Sequence, residues 1–302
     1  MKKVLLLVNF HAGTGMMKEN LPEMLEVLSA HGCECTVYPI PNPNMTTHEI
    51  IAGAKGRFDV IACAGGDGTL NHMISAMIEN DVDAAMGYIP SGSTNDFSRS
   101  IDGGRKLSIS EQCLAIAEGK PFVYDIGSFN ERYFNYVAAF GALTSVSYNT
   151  SQDLKNLMGY GAYMLNALAS VPDGLRTRIH GDVAIDGKRV SGDYIFGGVC
   201  NTNSVGGVAT PWLSRAELND GLFEVVLIDA PANILELNEA LTDLRSGNRE
   251  STHVHFYQGS DISMHMDQKI VWTLDGEEGS AVDNVEIKVL HNAVKLMVPL
   301  DV

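Results

Sequence analysis

An α/β domain followed by a strand-rich domain is the fold class that the sequence predicts, and three observations predict it. Short apolar runs alternate with helical patterns through the first third of the chain. Two loops rich in glycine and small hydroxyls each stand directly after one of those apolar runs. The texture then changes near Asp125, and from there turn pairs between short apolar runs dominate.

Taken in order, Val4–Val8 reads as a buried first strand, too short for a signal-peptide core or a membrane span. Asn20–His31 is helical, with Leu21, Met24, Leu25 and Leu28 on one face. Cys35–Tyr38 is strand-like, and Thr46–Lys55 is helical with Thr46 as its cap. Val60–Ala64 is a strand ended by Gly65-Gly66, Leu70–Glu79 a helix, and Ala85–Ile89 a strand ended by Pro90. This rhythm implies a mostly parallel, doubly wound sheet covered by helices on both faces. Beyond it, Val183–Ile185 and Arg189–Ser191 flank Asp186-Gly187, a pair that tolerates the positive φ of a tight hairpin. Tyr194–Val199, Leu222–Ile228, Ile262–Met266, Ile270–Leu274, Val285–Leu290 and Val294–Val298 are further strand candidates. Helical stretches around Leu154–Ser170 and Ile234–Leu244 interrupt them. Many short strands suggest an antiparallel β-sandwich. The expected domains are residues 1–124 and 125–291, with the last strand, 292–302, a candidate to return to the first domain.

Composition narrows the function classes. The 302 residues are 45% hydrophobic and 19% charged, which are globular proportions. The net charge of −16 argues against general nucleic-acid binding and against broad adhesion to anionic lipid. Cys33, Cys35, Cys63, Cys113 and Cys200 are odd in number and irregularly spaced, so they read as reduced thiols of a cytoplasmic protein. With no lipidation signal, any membrane contact is expected to be peripheral and reversible.

The strongest local signal is Gly65-Gly66-Asp67-Gly68-Thr69-Leu70-Asn71, between a strand and a helix. Glycines there let backbone approach a phosphate, and N–H groups at a helix start favour an anion. Asp67 beside phosphate implies a cation or a polarised hydroxyl nearby; the plainer reading is a tight turn with Asp67 capping the helix. The Lys-Ser/Thr of a Walker loop is absent. Pro90-Ser91-Gly92-Ser93-Thr94-Asn95-Asp96-Phe97 follows another strand and can donate several hydrogen bonds to a nucleotide, or simply cap the next helix. In a doubly wound sheet both loops emerge at the carboxyl ends of strands, where ligands bind. Asn9-Phe10-His11-Ala12-Gly13-Thr14-Gly15 is a weaker third signal after the first strand. Leu274-Asp275-Gly276-Glu277 reads locally as a hairpin turn.

The Gly65–Asn71, Pro90–Phe97 and Leu274–Glu277 motifs, with Tyr124-Asp125-Ile126-Gly127 and Asn219-Asp220-Gly221-Leu222, occur in the order and approximate spacing of the diacylglycerol kinase catalytic family, which the chain resembles over nearly its whole length. The resemblance implies an N-terminal α/β domain similar to that of NAD kinases and phosphofructokinases, a C-terminal β-sandwich, and ATP in the cleft between them. It implies transfer of the γ-phosphoryl group to a lipid hydroxyl, most readily that of diacylglycerol, with ATP and Mg²⁺. Asn9, Gly13, Gly65, Gly66, Asp67, Gly68, Thr69, Leu70, Asn71 and Ser93 would contact ATP. Asp67 and Asp125 would help to hold Mg²⁺ and the reacting phosphate, and Glu277 would accept the proton. Asp220, with the carbonyls of Glu217 and Leu222, would hold a structural Mg²⁺. The implied partners are the lipid substrate, the inner face of a membrane met peripherally, and a second copy in a homodimer.

Phe10, Thr14, Ile40 and Ser93 depart from residues common in the family. A basic docking face is not evident: Arg176, Arg178, Lys188 and Arg189 read as a solvated hairpin. His253, His255 and His265 read as surface pairs rather than metal ligands. Met158, Tyr160, Tyr163 and Met164 read as core packing, or alternatively as a wall for an acyl chain. Two other functions share parts of this pattern. An NAD kinase would share GGDGT, but Asn71 and the 90–97 loop resemble the lipid-kinase pattern. A non-catalytic nucleotide-binding regulator would not need Asp67, Asp125 and Glu277 together.

Overall fold

The computed structural model describes residues 1–12, 17–92, 95–101, 105–141, 178–205, 208–209, 211–213 and 216–301. The chain divides into two compact units, Met1–Tyr124 with Asn292–Val302, and Asp125–His291. The backbone therefore crosses from one to the other at 124–125 and at 291–292.

The first unit is built on strands β1 (Lys2–Asn9), β2 (Cys33–Ile40), β3 (Val60–Gly65) and β4 (Ala85–Pro90). They pair in parallel in the order β2-β1-β3-β4. The end of β15 (Glu277–Val298) adds to β4, also in parallel, with Leu296 opposite Met86. Helices α1 (Met17–Ala30), α2 (Thr47–Ala54), α3 (Asp67–Glu79), α4 (Asp96–Ile101) and α5 (Ile109–Glu118) make the connections. Val4, Leu6, Val8, Ala62, Ala64 and Ile89 share a core with Met24 and Leu28 of α1 and with Cys113 and Ile116 of α5. The alternate residues Leu5, Leu7, Ile61 and Cys63 are buried too, as a parallel sheet covered on both faces requires. The cap expected at Thr46 is present and is part of a capping box with Glu49, and Ser108 forms a second one with Glu111 ahead of α5.

The second unit contains most of β5 (Lys120–Phe129), then β6 (Arg132–Phe134), β7 (Val137–Gly141), β8 (Ile179–Ile185), β9 (Lys188–Cys200), a two-residue pair β10 (Ser204–Val205) and β11 (Val208–Ala209), β12 (Phe223–Asp229), α6 (Ile234–Ser246), β13 (Val254–Gly259), β14 (Asp261–Leu274) and β15. Its registered pairings are antiparallel. Asp186 (φ 46°) and Gly187 (φ 81°) make the β8–β9 turn, both in the left-handed region that a tight hairpin needs. The first half of β9 pairs with β8 and its second half with β7 and β12. Likewise β14 pairs first with β8 and then with β7. Phe134, Phe140, Phe223, Trp272 and Ile287 fill the core that these strands enclose.

Several boundaries differ from the sequence reading. Arg189–Ser191 and Tyr194–Val199 are one strand, as are Ile262–Met266 and Ile270–Leu274. Asp267–Lys269 break the alternation in the sequence, yet the backbone carries through as a register shift between His265 and Ile270. Val285–Leu290 and Val294–Val298 likewise join, through Asn292 at φ 54°. Strands β5, β6, β7 and β13, with α5, have no counterpart in the sequence reading, and α4 is expected there only as the helix that the 90–97 loop could cap. The helix expected at Leu154–Ser170 lies outside the described residues.

Glu224 of β12 is buried on the face opposite Phe223 and Val225. Gln258 Nε2 donates to its Oε1 at 3.0 Å, and its Oε2 has no partner among the described residues. Burial lifts this carboxyl from 4.5 to about 7, against the Gln258 hydrogen bond. Between pH 4.5 and 7 the unfolded chain sheds a proton that the folded chain keeps, so stability falls as pH rises through that window. Thermal melts in a metal chelator from pH 4.5 to 8 are expected to show this slope. Glu224→Gln should flatten it and melt above the wild type at pH 8; an unchanged slope would refute the assignment.

Candidate active site

In the first unit, three strand ends bring their loops together. β3 stops at Gly65 and α3 starts at Asp67, so Gly66 is the cap residue, with no side chain to satisfy the first N–H groups of the helix. Those N–H groups and the helix dipole favour an anion there. The loop after β4 closes against them: Ser91 N–H donates to the Gly65 carbonyl at 2.8 Å. The facing Gly66 and Gly92 backbones approach closely: a Cβ on Gly66 would lie 3.3 Å from the Gly92 Cα. A Cβ on Gly92 would lie 2.9 Å from the Gly66 Cα, and one on Gly65 would lie 2.6 Å from the Thr69 side chain.

Side chains fix both loops. Asn95, at φ 53°, accepts from Gly92 N–H at 2.8 Å and donates to the Gly92 carbonyl at 2.9 Å. Asp67 Oδ2 accepts from Asp96 N–H at 3.3 Å. Asn9, at the end of β1, donates to Thr69 Oγ1 at 3.0 Å and accepts from His11 N–H. Beneath the loops, burial and then the Asp67 charge hold the Tyr88 hydroxyl well above its usual range. The Ser91 hydroxyl is buried and has no partner among the described residues. Leu70 is buried in the core, so only its backbone can meet a ligand. Gly68 and Asn71 stand on the first turns of α3, half-buried. Ser93 and Gly13 lie outside the described residues.

The second unit holds the remaining acidic candidates, in two clusters. Asp125 is fully buried. Its Oδ2 accepts from Gly221 N–H at 2.7 Å, and its Oδ1 lies 3.1 Å from His291 Nδ1. Asp125 N–H donates to the Leu218 carbonyl, and Asn201 Nδ2 donates to the carbonyl of Asp125. Asp125 is thereby tied to the loop that carries Asp220. Asp220 is exposed, and its Oδ1 accepts from Leu222 N–H at 2.9 Å across Gly221 at φ 79°. The carbonyls of Glu217 and Leu222 and the Asp220 carboxylate are all hard oxygen donors within six residues, a set that suits Mg²⁺ or Ca²⁺ completed by water. Among the described residues no group of three His, Cys, Asp or Glu side chains converges on one point.

The other cluster supports Glu277. Asp275 (φ 52°) and Gly276 (φ 80°) form the β14–β15 turn. The buried Asp275 carboxylate accepts from the N–H groups of Asn135, Tyr136 and Val137 at 2.6, 2.9 and 3.1 Å. Tyr136 Oη donates to the Asp275 carbonyl at 3.1 Å. Glu277 is the exposed residue that leaves this anchored turn. Sequence reading missed Asp275 because Asp-Gly already has a sufficient explanation as a turn. It also gave no role to Asp96, whose signal was its place beside Asn95 in the hydroxyl-rich loop. His291 has no local signal at all. His253, His255 and His265 each meet a separate partner, Glu239, Asp229 and Asn284 respectively.

A glycine-lined anion cradle at the ends of parallel strands, coupled by sequence to a strand-rich unit, suits a phosphotransferase, and comparison with known proteins gives the lipid-kinase class. Residues 3–129 match the diacylglycerol kinase catalytic domain, and residues 137–298 match the YegS C-terminal NAD kinase beta sandwich-like domain. The chain belongs to the diacylglycerol kinase family and is a lipid kinase. It is 30% identical over 303 residues to a diacylglycerol kinase of Staphylococcus saprophyticus, covering 100% of this chain and 97% of that one. It is 29% identical over 300 residues to a diacylglycerol kinase of Bacillus subtilis, covering 99% and 97%. A solved diacylglycerol kinase from Bacillus anthracis shares the fold, with a TM-score of 0.80 and 18% identity over 98% of this chain and 97% of that one.

The contact between Gly66 and Gly92 makes a direct prediction. Gly92→Ala must push backbone from backbone, so the two loops part. ATP affinity is expected to fall about tenfold or more, since displacements near 1 Å are costly in such sites. The melting temperature should stay near that of the wild type. Isothermal titration with ATP checks this, and unchanged affinity would remove the 90–97 loop from the cradle.

Proposed function

We propose that this kinase transfers the γ-phosphoryl group of ATP to the free hydroxyl of diacylglycerol, giving phosphatidate. The observation that carries the phosphoryl-transfer reading is the cradle of the first unit, where two glycines face each other at the start of α3 beside Asp67. The acceptor is inferred from the relatives, whose name is diacylglycerol kinase over essentially the whole length of this chain. In this reading residues 1–124 and 292–302 form a doubly wound nucleotide domain of the NAD kinase and phosphofructokinase type. Residues 125–291 form an antiparallel sandwich that serves the lipid.

The backbone N–H groups from Gly66 to Asn71, together with Asn9 and the 90–97 loop that includes Ser93, would hold the nucleotide phosphates. Asp67 and Asp96 place negative charge at the cradle, which a divalent cation would balance. Mg²⁺, when bound, supplies that neutralisation of phosphate charge. A second ion would be held by Asp220 and the carbonyls of Glu217 and Leu222, where the oxygen donor set fits. The lipid oxygen attacks the γ-phosphorus, the bond to the β-phosphate oxygen breaks, and the hydroxyl proton passes to Glu277. Asp125 accepts from Gly221 N–H and meets His291, contacts through which it would also act on the Asp220 loop. The acceptor is dissolved in a membrane, so the enzyme would meet the cytoplasmic face peripherally. Among the described residues no helix is long and apolar enough to cross one. A homodimer is part of the same proposal.

A radiolabelled-ATP assay against diacylglycerol, a sphingoid base, ceramide and a polyprenol tests the acceptor. Phosphatidate as the main product is expected, and preference for another alcohol would overturn the choice of diacylglycerol. Asp67→Ala is expected to abolish transfer while leaving the melting curve intact, because its half-buried carboxylate serves the cradle and not the core. Wild-type turnover in that variant would sink its role. Glu277→Gln should bind ATP normally yet lose roughly 10²–10⁴-fold in turnover, the usual worth of a general base. Retained turnover would reduce Glu277 to a hairpin residue.

A further inference from the structure

His291 serves no element of the cradle, yet its surroundings are specific. It is the last residue of the second unit, and Asp125 is the first. The two residues through which the chain enters and leaves that unit are therefore joined by one hydrogen bond of 3.1 Å. An ionised carboxylate can only accept, so His291 Nδ1 carries the hydrogen. The ring does more than donate. It lies over the Gly221 turn, where a Cβ would meet Nδ1 at 3.2 Å and Cγ at 3.6 Å. Asn292, directly after it, adopts φ 54° in the middle of the 22-residue strand β15. Such a local left-handed residue re-aims the neighbouring side chain as a bulge does.

We propose that His291 is a positioning residue for the Asn219–Leu222 loop, acting on it through the Asp125 carboxylate and by covering Gly221. Asp125 shares its two oxygens between His291 and Gly221 N–H, so holding one bond orients the other. The left-handed Gly221 sets the direction of the Leu222 backbone and the reach of Asp220. Without His291, the carboxylate keeps Gly221 N–H but is held by one contact fewer, and the oxygen donors of the loop are less firmly arranged. The inference rests on the reading that this loop holds a divalent ion. Its demand on the molecule is separate: the ion's affinity should depend on a residue that offers it no ligand. Groups that orient metal ligands from behind typically change affinity by about 10–100-fold when removed.

Three variants and one reference test this. His291→Phe keeps a ring over Gly221 and removes the donor. His291→Asn places an amide N–H where Nδ1 stood, and His291→Gln carries its amide one carbon further out. Asp220→Ala is the reference for loss of the ion itself. For each, the melting temperature is followed through a Mg²⁺ titration starting from chelated protein, and ATP affinity is measured by calorimetry. His291→Phe should shift the Mg²⁺ midpoint upward by about tenfold or more. His291→Asn should restore it to within about threefold of the wild type, and ATP affinity should stay unchanged throughout. If His291→Phe does not fold, Asn near wild type with Gln weakened supports the proposal, and equal midpoints for Asn and Gln overturn it. If Asp220→Ala abolishes the Mg²⁺ response while His291→Phe keeps the wild-type midpoint, the ion site stands and the role of His291 is overturned. If the wild type shows no Mg²⁺ response, the ion reading fails and this proposal falls with it.

Discussion

The approach of Gly66 and Gly92 is the constraint on which the first unit depends. Two loops from neighbouring strand ends can touch backbone to backbone only where neither carries a Cβ, and here an added Cβ would fall 2.9 Å from the opposite Cα. The parallel pairing of β3 with β4, Gly65 opposite Pro90, delivers the two loops to the same edge. Everything polar at that edge then follows from filling hydrogen bonds. Asn95 closes its own loop, Asp96 N–H reaches Asp67, and Asn9 reaches Thr69 from the next strand. The first N–H groups of α3 have no side-chain cap, so they remain available to an anion.

In the second unit the ordering principle is different. Buried carboxylates collect backbone N–H groups. Asp275 takes three from consecutive residues, and Asp125 takes one from Gly221 and a ring N–H from His291. Desolvating a carboxylate is costly unless its lone pairs are met, and hydrogen bonds to a charged acceptor are among the stronger ones. Each such residue therefore pins a loop from a distant part of the chain. Asp275 holds the segment after β6 against the β14–β15 turn, and Asp125 holds the Asn219–Leu222 turn. Both carboxylates are buried, although the His291 ring that meets Asp125 is itself exposed. The exposed pairs Lys55–Asp81, Arg105–Asp301 and Lys295–Asp83 fall in the weaker class that solvent screens.

The acidic net charge of −16 bears on how a lipid kinase of this kind meets its substrate. Arg178 faces Asp193, and Lys188 lies over the Tyr257 ring, so two members of the densest basic group already have local partners. Among the described residues the large exposed apolar side chains are scattered, with Leu235 and Ile234 at the start of α6 adjacent. Net charge of this sign works against broad electrostatic adhesion to anionic lipid.

The sequence by itself determined the alternation of the first unit, the two loops at its strand ends and the turn at Asp186-Gly187. Each rests on a local rule: periodicity of apolar residues, glycine where backbone must approach, and left-handed turn chemistry. It determined the family as well, because five short motifs kept their order. It could not show that β9, β14 and β15 run on through polar interruptions, since strand continuity is set by the partners that hydrogen-bond to them and not by their own pattern. Nor could it give Asp275 or His291 a task. An Asp-Gly pair and a lone histidine look ordinary in sequence, and their partners lie about 140 and 166 residues away. Only the tertiary structure decided that Asp125 is buried and meets Gly221 N–H, because satisfying a desolvated carboxylate depends on which distant N–H groups the fold brings to it.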